Sequence, residues 1–194
     1  MTFAWIMCAE DSISLFPLMD HRNAAPNEPI MSALYDVAQF LYDSDFGTAL
    51  RESQYAFPVV EGIHLLGLAF SVGLLAIVDL RLAGVLLRDE PLLYVMSQLR
   101  PFIFGGFILT FASGFLLFWA LSIKLLPNPA FPVKFVFILL AGANFLWFEL
   151  GLTPRAADWM ARPVPPVEVR AAGWTSLFLW SVVVMAGRLI PYLG

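Results

Sequence analysis

Residues 57–84, FPVVEGIHLLGLAFSVGLLAIVDLRLAG, decide the fold. The stretch is long enough to cross a membrane, because about 20 residues at a rise of about 1.5 Å span a hydrocarbon core of about 30 Å. It nevertheless carries Glu61 and His64 near its start and Asp79 and Arg81 near its end. Ionisable groups in a span cost free energy unless each finds a partner or water, so such a residue is by default a functional-site hypothesis.

The rest of the chain agrees with a membrane setting. Of 194 residues, 60% are hydrophobic and 13% charged, against about 45–50% and about 25% in soluble domains. The excess is gathered into four blocks, about 55–80, 101–126, 132–152 and 173–193. Each is long enough for one transmembrane helix. Open sheets would leave backbone groups unsatisfied in lipid, and a closed barrel would show alternating ten-residue segments, which these runs do not. The expected fold is all-α, a four-transmembrane-helix bundle. The net charge of -4 does not suggest nucleic acid. Cys8, the lone cysteine, forms no internal disulfide or cysteine metal motif.

Residues 1–30 differ in character. The apolar run Thr2–Ala9 is short, lacks a basic leader and is followed by Glu10 and Asp11, which makes it a poor signal peptide. Pro17, Pro26 and Pro29 with Asn23 and Asn27 read as irregular chain. This suggests that biosynthesis starts at Met31 and that residues 31–194 form one membrane domain. From Ser32, a plausible N-cap, the residues Leu34, Val37, Ala38, Phe40 and Leu41 recur at helical spacing between polar positions. An N-terminal amphipathic helix on the membrane surface is expected there.

In the second span Gly106, Thr110 and Gly114 recur at every fourth position, on the kind of face that lets helices approach closely. The turn Leu126-Pro127-Asn128-Pro129 predicts that spans two and three form an antiparallel hairpin. Asp79 and Arg81 read as a helix-end anchor with Glu149 or Arg155 as partners, Asn144 as a helix-to-helix hydrogen bond, and the tryptophans as mostly interfacial anchors.

Topology groups the charges. The loops after spans one and three, with the flanking helix ends, hold Arg81, Arg88, Arg100, Arg155, Arg162 and Arg170. The opposite side holds Arg22, Arg51, Lys124 and Lys134, with Arg188 near the last helix end. The positive-inside rule then puts the arginine-rich loops in the cytoplasm and both termini in the periplasm of a bacterial inner membrane. In any orientation Glu61, His64, Lys134 and Arg188 share one leaflet, while Asp79, Arg81 and Glu149 lie toward the other.

His64 is the single histidine of the membrane part. A neutral imidazole there can ligate haem iron, copper or zinc, or relay protons; equally, it can hydrogen-bond a neighbour and fix packing. Glu61, three residues earlier, shares its helix face and could orient the ring or pair with Lys134 or Arg188. Lys134 and Arg188 could clamp an anion, or serve as a snorkelling residue and a structural pair.

The strings ALRES (49–53), E-x-x-H (61–64), D-L-R (79–81), NPAFPVKFVFILLAGANFLWFE (128–149) and AGRLIPY (186–192) resemble a bacterial family of four-helix membrane proteins described as a domain of unknown function. The likeness covers about residues 31–194 and implies fold and location. More distantly, a histidine in span one and a lysine opening span three are similar to the layout of copper-resistance D-type membrane proteins and of the haem-containing protoporphyrinogen oxidase. That resemblance implies haem b with His64 as ligand, Glu61 behind it, and Lys134 and Arg188 balancing charge. Members of the closer family often carry histidine where this chain has Glu149. The departure removes the second axial ligand of a bis-histidine haem, and leaves a single axial histidine or a His64 pair across a homodimer. The leading expectation is therefore a small haem-binding or redox protein with His64 as metal ligand. The alternative is a non-enzymatic membrane subunit, or a metal-handling or transport protein, whose polar residues lock helices together. Four short-looped spans leave little room for alternating access without dimerisation.

Overall fold

The computed structural model describes residues 29–159 and 164–193. The expectations for residues 1–28, including Cys8 and a start at Met31 that would exclude them, lie outside the described residues, as does Arg162. The chain divides into two units, Met1–Val37 and Ala38–Gly194. In the first, the described residues form the opening turns of helix α1 (Pro29–Asp43), with Ile30, Leu34 and Val37 exposed. Ser32, expected to cap this helix, lies inside it. Pro29 opens it instead, at a position where its missing N–H and fixed φ suit a first turn.

The second unit begins with the rest of α1 and continues into α2 (Asp45–Glu52), which Ser44 caps by accepting a hydrogen bond from the Gly47 amide at 3.1 Å. Four long helices follow: α3 (Ala56–Leu82), α4 (Leu92–Leu125), α5 (Ala130–Trp147) and, after the short α6 (Ala156–Trp159), α7 (Val167–Leu193). α5 runs on through a π-helical turn, Phe148–Leu152, and a 3-10 turn, Thr153–Arg155. Four helical segments, at 56–82, 92–125, 130–155 and 167–193, are long and apolar enough to cross a membrane. No strand occurs among the described residues, and the fold is the expected all-α bundle of a multi-pass membrane protein.

Two helices start earlier than the apolar blocks implied. α4 opens at Leu92 and continues through Pro101. At about 51 Å it is far longer than a hydrocarbon core of about 30 Å, so its first turns can be helical without being lipid-immersed. α7 opens at Val167, directly after the Pro165-Pro166 stop.

Helices α3 and α4 pack tightly, as the small-residue face predicts. A Cβ on Gly67 would approach Thr110 Oγ1 to 2.9 Å, and one on Gly106 would approach Ser71 Cβ to 2.9 Å. The hydroxyls of Ser71 and Thr110 donate back to carbonyls four residues earlier, at 2.8 Å each, so neither is an unmet polar group in lipid. α3 packs also on α7, and α5 on α7. Asn144 donates to the Ala172 carbonyl at 3.2 Å, and Asn128 to the Ile190 carbonyl at 2.8 Å, tying α5 and its preceding turn to α7. The order around the bundle is therefore α4–α3–α7–α5.

The hairpin expected between spans two and three closes only in part. α4 and α5 are joined by a short turn, yet their backbones scarcely touch. Side chains bridge the gap: Arg100 to Glu149, Phe104 to Phe145 and Phe118 to Phe131. At the far end of α4, Trp119 Nε1 donates to Ser44 Oγ at 2.9 Å and Ser122 Oγ to the Ala38 carbonyl at 2.7 Å. Arg51 donates to the Tyr42 and Ala120 carbonyls at 3.1 and 3.2 Å, with its guanidinium 3.8 Å from the centre of the Tyr42 ring. These bonds strap α2 and the end of α1 to α4.

Candidate functional site

His64 sits on the α4-facing side of α3, half-buried. Its Nδ1 lies 2.9 Å from the Thr110 carbonyl and 3.2 Å from Ser113 Oγ. A carbonyl only accepts, so Nδ1 carries a proton and donates. In the neutral ring the lone pair then lies on Nε2, which has no hydrogen-bond partner among the described residues. Gly114 makes room for the ring: a Cβ there would come within 2.9 Å of His64 Cε1.

The expected companions of His64 gather unevenly. Lys134 and Glu61 are the charged groups near enough to act on the imidazole electrostatically. Lys134 lies along α7 beside Gly187, whose added Cβ would sit 3.4 Å from Nζ. Glu61 is exposed, and the place at Nδ1 that a carboxylate could have taken belongs to Thr110. Arg188 turns to its own helix, 3.4 Å from the Tyr192 hydroxyl, with its guanidinium over that ring. No group of three or more His, Cys, Asp or Glu that could hold a metal ion occurs among the described residues.

A cavity lies elsewhere, toward the other leaflet. It has a volume of about 890 Å³ and is walled by α3, α4, α5 and α7. Along α4 its lining runs from Met96 to Phe111, a rise of about 22 Å, or about three-quarters of a hydrocarbon core of about 30 Å. Leu75, Ile103, Phe107, Ile138 and Trp180 line its apolar length. Ile108 on α4 and Leu139 on α5 line it too and are exposed, so the cavity opens between these two helices toward lipid. Its other end is polar, with Asp79, Arg100, Asn144, Glu149 and Ser176.

That polar end revises the helix-end anchor read from the sequence. Arg81 is buried and donates through Nε and Nη2 to the Glu90 carbonyl, at 3.2 and 2.8 Å, because the loop after α3 folds back over it. Glu149 is bridged at 2.7 Å by Arg100, which reaches it from the early part of α4 that the sequence reading left in a loop. The π-helical turn that begins at Phe148 sets the position of Glu149, and such turns are frequent at functional sites. Asp79 is 4% exposed, and its Oδ2 has no hydrogen-bond partner. Ser176, from α7, faces the same carboxyl. Two tryptophans expected as interfacial anchors are internal: Trp159 is buried and donates to the Leu152 carbonyl, and Trp180 lines the cavity.

Residues 51–193 match a family described as "Family of unknown function (DUF6644)". The chain belongs to this family. Comparison with curated proteins and with solved structures gives no significant match. The matched residues start at Arg51, which straps α2 to α4, and take in His64, the cavity and all four long helices of this DUF6644 member.

A haem held within one chain would need His64 to face a cavity large enough for it. His64 is not among the residues lining the cavity, and Glu149, where the resemblance would place a second histidine, is ion-paired with Arg100 toward the other leaflet. The residues present therefore do not assemble a haem pocket inside a single chain.

Proposed function

We propose that this protein is a membrane-embedded binding protein that takes an amphipathic small molecule from one leaflet into the cleft between α4 and α5. The observation that carries this reading is the cavity of about 890 Å³, apolar along its length, polar at one end, and open toward lipid where α4 and α5 fail to pack. Its extent of about 22 Å along α4 covers the full hydrocarbon depth of one leaflet and reaches beyond it. Binding sites for small molecules are typically apolar clefts with a few polar groups that fix orientation, and clefts between bundle helices are a recurrent setting. The six arginines of the two loops and their flanking helix ends, on the side of the polar end, favour a cytoplasmic face there, with both termini periplasmic in a bacterial inner membrane.

The test is retention. Gly142 lines the cavity, and a Cβ added there meets nothing within 4 Å, so Gly142→Phe fills the cleft without clashing at its base. Native mass spectrometry of protein extracted from membranes in mild detergent should show an amphiphile retained near one to one. The Gly142→Phe variant should lose it while melting at the wild-type temperature. A wild-type protein that retains nothing, or a variant that retains as much, would refute the reading.

A second reading is favoured by the free Nε2 of His64, whose ring is held by Thr110 in the tautomer a ligand needs. In this reading His64 ligates haem b or a metal with a second His64 from a homodimer partner or with a residue of a partner subunit, and the copper-resistance and oxidase likeness is functional. A visible spectrum of purified protein, oxidised and reduced, tests it. No Soret band after haem-supplemented expression removes the haem, and a band that survives His64→Ala removes the ligand.

A further inference from the structure

The polar end of the cleft has one unmet demand. Arg100 is committed to Glu149 at 2.7 Å. Asn144 commits its amide nitrogen to the Ala172 carbonyl, which leaves its side-chain oxygen as the group it has to offer. Arg81, also buried, is not among the lining residues; its Nε and Nη2 are held by the Glu90 carbonyl, and its Nη1 is a second buried atom without a partner. Among the described lining residues Asp79 carries a buried side-chain atom, Oδ2, without a partner. An orphaned buried polar atom of this kind calls for a specific explanation; as an ionised carboxylate Asp79 only accepts, so the atom that satisfies it is a donor.

We propose that the molecule held in the cleft carries a hydroxyl or amine donor on its head, and that Asp79 Oδ2 receives that hydrogen bond. This rests on the reading of the cleft as a binding site and specifies its ligand class. An anionic head would meet the carboxyls of Asp79 and Glu149 with the one lining arginine already paired. An ether or ketone head brings only acceptors to Asp79 and to the free oxygen of Asn144. A hydroxyl head donates its one hydrogen to Asp79, and an amine has a further hydrogen for the Asn144 oxygen, while the chain extends along Phe107 and Trp180 toward the bilayer centre.

Trp180 provides the assay, because bromine at the end of a dodecyl chain quenches indole fluorescence on contact. The protein is reconstituted in phosphatidylcholine nanodiscs and titrated with ω-bromododecanol, ω-bromododecylamine, the methyl ether of the alcohol, and ω-bromododecanoate. Concentrations are taken as mole fraction in the bilayer, and Trp180→Phe identifies the signal from the cleft. The alcohol, the amine or both should half-saturate at a mole fraction about tenfold or more below the ether and the carboxylate. Whichever is tighter tells a hydroxyl head from an amine head. Asp79→Leu should erase the preference for alcohol over ether without lowering the melting temperature. Asp79→Asn serves as the near-isosteric variant, and its expected result is a reduced preference. Ether binding as tight as alcohol, tighter carboxylate binding, or a preference that survives both substitutions would overturn the assignment of the donor. If all four probes quench Trp180 equally, the cleft binds amphiphiles and only this assignment falls. If none does, the binding reading itself fails.

Discussion

Replacing Gly173 by alanine is the sharpest test of how α3 and α7 form the wall behind Asp79. A Cβ at Gly173 would lie 2.7 Å from the Asp79 carbonyl oxygen, 3.2 Å from Leu82 Cβ and 3.4 Å from the Ala83 amide nitrogen. The first contact is about 0.7 Å inside the 3.4 Å lower limit of ordinary van der Waals approach. Its partner is backbone, so no rotamer change relieves it, and α7 must move from α3 as a unit. Overpacking of this kind costs about 1–3 kcal/mol. For a chain of this size that is about 2–12 °C in melting temperature. Scanning fluorimetry in mild detergent reads it, with Gly62→Ala and Gly73→Ala as internal controls, since a Cβ at either meets nothing within 4 Å. The controls should melt at or slightly above wild type, as a helix propensity gain of up to about 1 kcal/mol implies. Because the displaced oxygen belongs to Asp79, Gly173→Ala should also weaken retention in the cleft. A Gly173→Ala protein that melts with the controls would refute the α3–α7 packing described above.

Gly114→Ala should push the His64 ring away from α4, since the new Cβ would stand 2.9 Å from Cε1; nitrogen chemical shifts of the labelled imidazole should show loss of the Nδ1 hydrogen bond, and unchanged shifts would contradict the contact. Neutralising the Arg100–Glu149 bridge by Glu149→Gln should change unfolding free energy by less than about 1 kcal/mol, because Arg100 is 44% exposed, and a larger loss in denaturant titration would mean that the bridge holds the bundle together. Arg51→Lys should lower the melting temperature measurably, because an ammonium cannot reproduce a guanidinium that bonds the Tyr42 and Ala120 carbonyls while lying over the Tyr42 ring; an unchanged melt would show that the strap between α2 and α4 is incidental.

The spans were legible because length and hydropathy are one-dimensional properties, and the close α3–α4 contact because Gly106, Thr110 and Gly114 are small at helical spacing. Which helix neighbours which was not legible. In lipid the outward faces are as apolar as the inward ones, so no polar stripe marks the side that packs. The start of α4 at Leu92 was hidden by Arg100 and Pro101, which end the apolar block but not the helix. The same difference separates the two candidate sites. His64 stands out alone in its span, whereas the polar end of the cleft is assembled from Asp79 on α3, Arg100 on α4, Asn144 and Glu149 on and after α5, and Ser176 on α7. Asp79 itself carries the signal, as a carboxyl inside a span, and reads, with Glu149 or Arg155 as partners, as a helix-end anchor formed with the arginine two residues later. The fold sends that arginine to a backbone carbonyl instead.

The ring order α4–α3–α7–α5 also sets an order of assembly. A chain emerges N-terminus first, so α3 and α4 can close on each other as soon as both are in the bilayer. α5 arrives next beside a helix on which it scarcely packs, and it finds its principal neighbour only when α7, the last span, is made. Until then the α5 residues that become a wall of the cleft face lipid, Asn144 lacks the Ala172 carbonyl, and α5 is joined to α4 through side chains such as the Arg100–Glu149 bridge. The cleft is therefore the last part of the molecule to come into being. A chain that stops before Val167 would keep its α3–α4 pair intact and have no compartment at all.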